Sequence, residues 1–227
     1  MINHRAILNV MGSLLLIVTV MLLLSAGVAF FYEGDDLNSF LITSGITLVV
    51  GIILYFIGKN SNKELNRKDG YIIVTFSWVV VSAFAMLPFF ISGYIPSITD
   101  AFFESMSGFT STGCTILDNI EELPHGLLFW RSLTQWIGGL GIIFFTIAVL
   151  PLFGVSGVQL FAAEATGIPH EKVHPRIGVT AKWIWLIYTG MTLTETLLLY
   201  LGDMSLFDSI CHSLATTSTG GFSTYPE

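Results

Sequence analysis

Two short stretches of this chain are built from hydroxyl residues and glycine: GFTSTGCTIL at 108–117 and TTSTGGFST at 216–224. Such residues can present oxygen to a hard cation. Ser and Thr add hydroxyl ligands, and Gly113 or Gly221 allows the positive φ that turns a backbone carbonyl toward an ion. Neither stretch holds a carboxylate, which suits a monovalent ion that must also leave. A third motif offers different chemistry. His170-Glu171-Lys172-Val173-His174 reads H-E-x-x-H, the zinc-hydrolase pattern, whose two histidines must share one face of a helix. Pro175 directly after His174 disfavours helical geometry there, and the same loop offers no obvious third ligand. The match is therefore read as a coincidence.

The elements that must position these residues are set by the solvent. Of 227 residues, 53% are hydrophobic and 11% charged, where a soluble domain carries about 25% charged residues. Five largely apolar runs, at 6–31, 40–57, 71–92, 126–150 and 179–201, approach or exceed the length of about 20 helical residues that crosses a hydrocarbon core. The fold class is all-α, a polytopic membrane protein. The first run is too long for the h-region of a signal peptide and is read as a retained helix. Arg5, Lys59, Lys63, Arg67, Lys68, Lys172, Arg176 and Lys182 all fall on one side if the five helices alternate. By the positive-inside rule that side, with the N-terminus, is cytoplasmic. The opposite segments carry acids, from Asp35 and Asp36 through Asp100 and Glu122 to Asp203 and Asp208. Such a face attracts cations and repels nucleic acid and anionic substrates.

Between the third and fourth runs, residues 98–109 carry apolar positions at helical spacing over about twelve residues, too short to span. This marks a re-entrant helix, and the GFTSTGCTIL backbone after it is tolerated at membrane depth only where it lines a cavity. The arrangement returns after the fifth run. A shift of 108 residues lays 97–115 over 205–223 without a gap and matches Ser97 with Ser205, Asp100 with Asp208, Ser105 with Ser213 and Gly113 with Gly221. Ser-x-x-Asp before an apolar run is a helix-start signature, the serine accepting from a free N–H and the acid sitting at the positive end. Both short helices then aim their negative C-terminal ends at the polar loops, a favourable place for a cation. A shift of 107 matches TSTG alone and leaves the second loop uncertain by one residue. The second copy has no returning helix before Glu227, so the pattern is expected to continue beyond it.

The segments DAFFESMSGFTSTGCTIL, LPHGLLFWRSLTQWIGGLGII, HPRIGVTAKWIWLIYTGMTLTETLLL and TTSTGGFST closely resemble the Trk-type bacterial potassium uptake proteins of the Trk/Ktr/HKT superfamily. The resemblance runs over nearly the whole chain and implies four membrane–pore–membrane repeats around one pore, of which this chain holds one and a half. It divides the chain into two N-terminal spans (1–69), a first repeat (70–151), a cytoplasmic linker (152–177) and an incomplete second repeat (178–227). It places one filter at Thr110, Ser111, Thr112, Gly113 and Cys114 and another at Ser218, Thr219, Gly220, Gly221 and Phe222. Potassium would be held by backbone carbonyls of Ser111, Thr112, Gly113, Thr219, Gly220 and Gly221. Potassium channels carry TVGYG in such loops. Here only the first glycine of that pattern is matched, and discrimination against sodium is expected to be weaker.

The resemblance also implies a non-enzymatic translocation subunit in the cell (inner) membrane, without cofactor and with potassium as its cargo. Its partners would be membrane lipid, a second copy of itself and a cytosolic nucleotide-binding regulatory subunit against basic segments such as 172–182. The rival readings are an integral-membrane zinc metalloprotease using His170-Glu171-x-x-His174 and a non-conducting structural subunit. Five other features stand out. Cys114 and Cys211 are each read as small buried residues. Glu195, inside the fifth run, is a functional candidate as any intramembrane acid is. Arg131 is read as an anchor near the outer surface that could pair with Glu104. Gly138, Gly139 and Gly141 are read as permitting close helix approach, and His212 as a polar contact of the short helix.

Overall fold

The computed structural model describes residues 3–59, 67–149 and 177–225, and these are helical with no strand. In chain order the helices are α1 (His4–Phe31), α2 (Leu37–Gly58), α3 (Arg67–Ala85), α4 (Leu87–Ser92), α5 (Ile98–Phe109), α6 (His125–Val149), α7 (Ile177–Leu201) and α8 (Leu206–Thr217), with a single 3-10 turn at Ile120–Glu122. Among the described residues His4–Phe31, Leu37–Gly58, Asp69–Ser92 and Lys182–Leu201 are long and apolar enough to cross a membrane. α6, at 25 residues, reaches about 37 Å at 1.5 Å per residue. The five expected spans thus coincide with helices, and the chain is a multi-pass membrane protein.

The third span is not one straight rod. Pro88 has no N–H to continue the ladder, and the helix breaks at Met86 into α3 and α4. The Ala85 carbonyl at the break is taken by Trp130 Nε1 of α6, 3.0 Å away. Trp130 is fully buried and meets Phe40 of α2 and Phe109 of α5 edge to face. One side chain thus caps a broken helix and joins three others. α1 and α2 form an antiparallel hairpin whose backbones approach closely: a Cβ on Gly12 would run into Gly51 and Tyr55, and one on Gly58 into Arg5 and Asn9. Without hydrophobic drive between helices in lipid, this close packing is what holds such a pair. Buried hydroxyls in these spans turn back on their own helix, as Thr19 does to Leu15 O and Thr47 to Thr43 O, because hydrocarbon offers no other partner.

One end of the bundle gathers the helix connections. Tyr32 stacks on His125 at 4.1 Å, both meet Phe207 of α8 edge to face, and Tyr94 donates to Asp35 at 3.0 Å. Asp36 is buried there between Gly34 and Gly126 at the start of α6. Burial pushes its carboxyl above the usual range, against the pull of the Leu127 N–H and nearby His125. At the opposite end the Asn3 N–H donates to Asp69 at 3.0 Å, tying the start of α1 to that of α3. α7 packs mainly on α6 and α8, and its Trp183, Leu186 and Leu197 remain exposed, as do Ile17 and Val49 on α1 and α2. Lipid is the solvent such faces need.

Candidate functional site

α5 and α8 are the same device built twice. Each has 12 residues, and each starts at a serine whose hydroxyl accepts from the N–H three residues on, Asp100 at 3.4 Å and Asp208 at 3.1 Å. Asp208 is further held by Ser205, Thr224 and Tyr225. Burial pushes its carboxyl up, but these hydrogen bonds outweigh that and leave it below the ordinary value.

Both helices end in the same turn. Ser111 N–H donates to Gly108 O and Thr112 N–H to Ser107 O; Thr219 N–H donates to Thr216 O and Gly220 N–H to Ala215 O. This pair of reversed bonds is the Schellman motif, which needs a left-handed residue at its first position past the cap. Ser111 and Thr219 take that role with φ of 52° and 55°, and Gly113 and Gly221 follow with φ of 76° and 83°. All four positive values match at a spacing of 108, which fixes the register of the second loop. The sequence placed Ser111 and Thr219 in the loops but gave positive φ only to the two glycines, because a serine and a β-branched threonine carry no signal for a conformation that normally selects glycine. With these N–H groups turned back onto the helix, the loops can offer carbonyl oxygen without stranding a buried donor.

The loops meet each other. A Cβ on Gly113 would run into the Gly220 carbonyl oxygen, so the first loop lies directly against the second. Behind them passes α6, presenting Arg131, Thr134, Gln135, Gly138 and Gly139 at spacings of three and four along one face. Gly138 lies against the Phe109 backbone at the end of α5, and Gly139 against Ser218 and the Tyr188 hydroxyl. Close approach, expected of Gly138, Gly139 and Gly141, is what the first two permit, whereas a Cβ on Gly141 would meet only Trp78 at 3.8 Å. The same polar and small stripe along an apolar helix was the available sequence signal for Thr134 and Gln135.

Arg131 pairs with Glu104 as the sequence allowed, but it corrects the expectation of an anchor near the surface. It is 1% exposed, as is Glu104, and Arg131 Nε lies 2.9 Å from Glu104 Oε1. Nη1 donates to Ser223 O at 3.1 Å and Nη2 to Thr115 Oγ1 at 3.2 Å. Thr115 and Ser223 are equivalent positions of the two repeats, so one guanidinium holds the ends of both loops. Glu104 in turn accepts from Thr115 Oγ1 and from Ile116 N–H at 3.2 Å. The Phe222 ring lies 4.2 Å under the guanidinium. Snorkelling was excluded by this network, since a planar fork with five donors finds partners in the interior that a lysine would not.

The remaining candidates divide. Cys211 is buried as expected, but Cys114 is exposed. A membrane-impermeant maleimide should therefore label the native protein at Cys114 and spare Cys211, and Cys114→Ser should abolish the labelling seen by mass spectrometry. Labelling that persists in Cys114→Ser would refute this placement. Glu195 accepts from Thr217 Oγ1 at 3.4 Å, at the end of a chain from Trp136 through Thr192. His212 meets Thr224 Oγ1 at 3.2 Å and stacks on Tyr225. His170, Glu171, His174 and residues 172–176 of the basic segment lie outside the described residues, and among the described residues no cluster of three metal-ligating side chains occurs.

Comparison with known proteins adds the following. Residues 37–227 match the family model TrkH, described as a cation transport protein. The Trk system potassium uptake protein TrkH of Salmonella typhimurium is 40% identical over 225 residues, covering 98% of this chain and 47% of that protein. The Trk system potassium uptake protein TrkG of Escherichia coli is 35% identical, covering 98% and 46%. The crystal structure of the potassium transporter TrkH from Vibrio parahaemolyticus aligns with a TM-score of 0.85 at 37% identity, over 97% of this chain and 44% of that one. The chain spans about half the length of the curated relatives it matches.

Proposed function

Because the chain belongs to the TrkH family of cation transport proteins, we propose that it takes part in potassium uptake across the cell membrane, contributing two of the loops that line the ion path. The observation that carries this reading is the duplicated turn. Two capped helices of 12 residues aim their negative ends at loops with matching positive φ at Ser111 and Gly113, and at Thr219 and Gly221. Thr110 to Cys114 and Ser218 to Phe222 would form the filter segments, with the carbonyls of Ser111, Thr112, Gly113, Thr219, Gly220 and Gly221 replacing the ion's water. The helix dipoles favour the cation without a fixed carboxylate that would trap it.

Related proteins of this family are named as potassium uptake proteins, which favours potassium as cargo over the zinc-protease and purely structural alternatives. The same kinship supports the division into two N-terminal spans (1–69), a first repeat (70–151), a linker (152–177) and a second repeat (178–227). The placement of the basic residues supports an N-terminus inside the cell, and kinship with bacterial transport proteins supports an inner-membrane location. A homodimer and a cytosolic nucleotide-binding regulatory subunit complete the proposal. The complete protein carrying this chain should restore growth of a potassium-uptake-deficient bacterium at limiting potassium and drive rubidium uptake in it. Failure to do either, with the protein present in the membrane, would overturn the assignment.

A further inference from the structure

Gln135 is fully buried in α6, and it meets both loops from one point. Its main-chain carbonyl accepts from Ser111 Oγ at 3.3 Å in the first loop, and its Oε1 accepts from the Phe222 N–H at 3.1 Å in the second. The carboxamide fills the space left by the absent side chain of Gly220, where a Cβ would strike Cδ, Oε1 and Nε2 alike. Nε2 lies 3.8 Å from where a Cβ on Gly113 would stand, and it has no hydrogen-bond partner.

This arrangement is costly if Gln135 only fills space. A buried donor left unmade costs about 1–3 kcal/mol, whereas methionine would occupy a similar volume without that cost. The second loop, however, is held at its two ends. Its start is held by the reversed bonds of Thr219 and Gly220 to α8, and its end by the Phe222 N–H on Gln135, the Phe222 ring under Arg131 and the Ser223 carbonyl on Arg131 Nη1. Between those ends lie the Gly220 carbonyl and Gly221, in residues with least stiffness of their own. The Gly220 carbonyl is the group that touches Gly113, and the carboxamide stands directly behind Gly220. The distance between the two loops is therefore set from the Gln135 side.

We propose, resting on the reading of these loops as a potassium filter, that Gln135 is a positioning residue that determines the ion preference of the filter. Oε1 fixes the end of the second loop, and the carboxamide backs Gly220 so that its carbonyl keeps one spacing from the first loop. The unpartnered Nε2 is the donor left for a filter carbonyl or for water in the ion path. Ion preference depends on the number and spacing of such oxygens, so losing this support should change which ion passes before it changes whether the protein folds.

The test uses the complete transport protein in vesicles of phosphatidylethanolamine and phosphatidylglycerol, with rubidium and sodium fluxes measured side by side. Gln135→Met removes the tether and the stranded donor together at nearly constant volume. It should keep or raise thermal stability while lowering the rubidium-over-sodium ratio by about fivefold or more, equivalent to about 1 kcal/mol. A residue with a merely structural role would lose stability and keep its ratio. If Gln135→Met keeps the parent ratio, the inference is overturned. Should Gln135→Met not assemble, Gln135→Asn, which withdraws the acceptor by one carbon, is read the same way. A parent protein that moves neither ion would instead refute the filter reading itself.

Discussion

Replacing Arg131 by methionine should remove most of the folded protein from the membrane, a larger loss than any other single substitution in this region. The change would leave Glu104, 1% exposed, without its cation, and uncompensated buried charges of this kind cost about 3–5 kcal/mol. Against a total margin of about 5–15 kcal/mol for a folded domain, that loss is decisive. It would also release Thr115 and Ser223, the ends of both loops. Arg131→Lys keeps the charge but not the fork, and cannot reach Glu104, Thr115 and Ser223 O at once, so it should be intermediate. The double substitution Arg131→Met with Glu104→Met removes both charges and should recover most of the stability. It should not recover ion preference, because the Ile116 N–H and Ser223 O lose their partners in it. Thermal denaturation in detergent separates these cases; an Arg131→Met protein as stable as the parent would show that the pair is not buried as described.

How far these features were legible in the sequence depended on how local their causes were. The starts of α5 and α8 were readable at single-residue level, since Ser97 and Ser205 bond to N–H groups three positions on. The spans at 6–31 and 179–201 fell within four residues of α1 and α7 because apolar composition in lipid leaves the backbone few alternatives. The break at Met86 could have been read from Pro88. The burial of Arg131, though not its pairing with Glu104, was missed for a different reason. Its partners lie 27, 16 and 92 residues away, and nothing within one turn of α6 distinguishes a snorkelling arginine from a buried one. Ser111 and Thr219 failed for yet another: their positive φ is imposed by the closing bonds of the helix end, overriding what their side chains prefer.

That difference between imposed and intrinsic conformation bears on the two loop glycines, Gly113 and Gly221, which look equivalent in sequence and are not equivalent in space. Both have φ near 80°, so any L side chain at either position meets strain of about 1–2 kcal/mol. At Gly221 nothing lies within 4 Å of an added Cβ, whereas at Gly113 it meets the Gly220 carbonyl oxygen. Gly221→Ala should therefore lower rubidium uptake while largely keeping its preference over sodium. Gly113→Ser should push the loops apart and lose the preference itself, by about tenfold or more, equivalent to about 1.4 kcal/mol. Rubidium uptake in competition with sodium in the complete protein reads both. Equal effects would mean that strain alone governs and the loops do not meet at Gly220. A preference untouched by Gly113→Ser would remove Gly113 from the ion path altogether, and with it the case for the first loop as a filter. The asymmetry also orders the roles of the loops: the first is the wall against which the second is set, and Gly113 is bare so that a carbonyl of the other repeat can stand there.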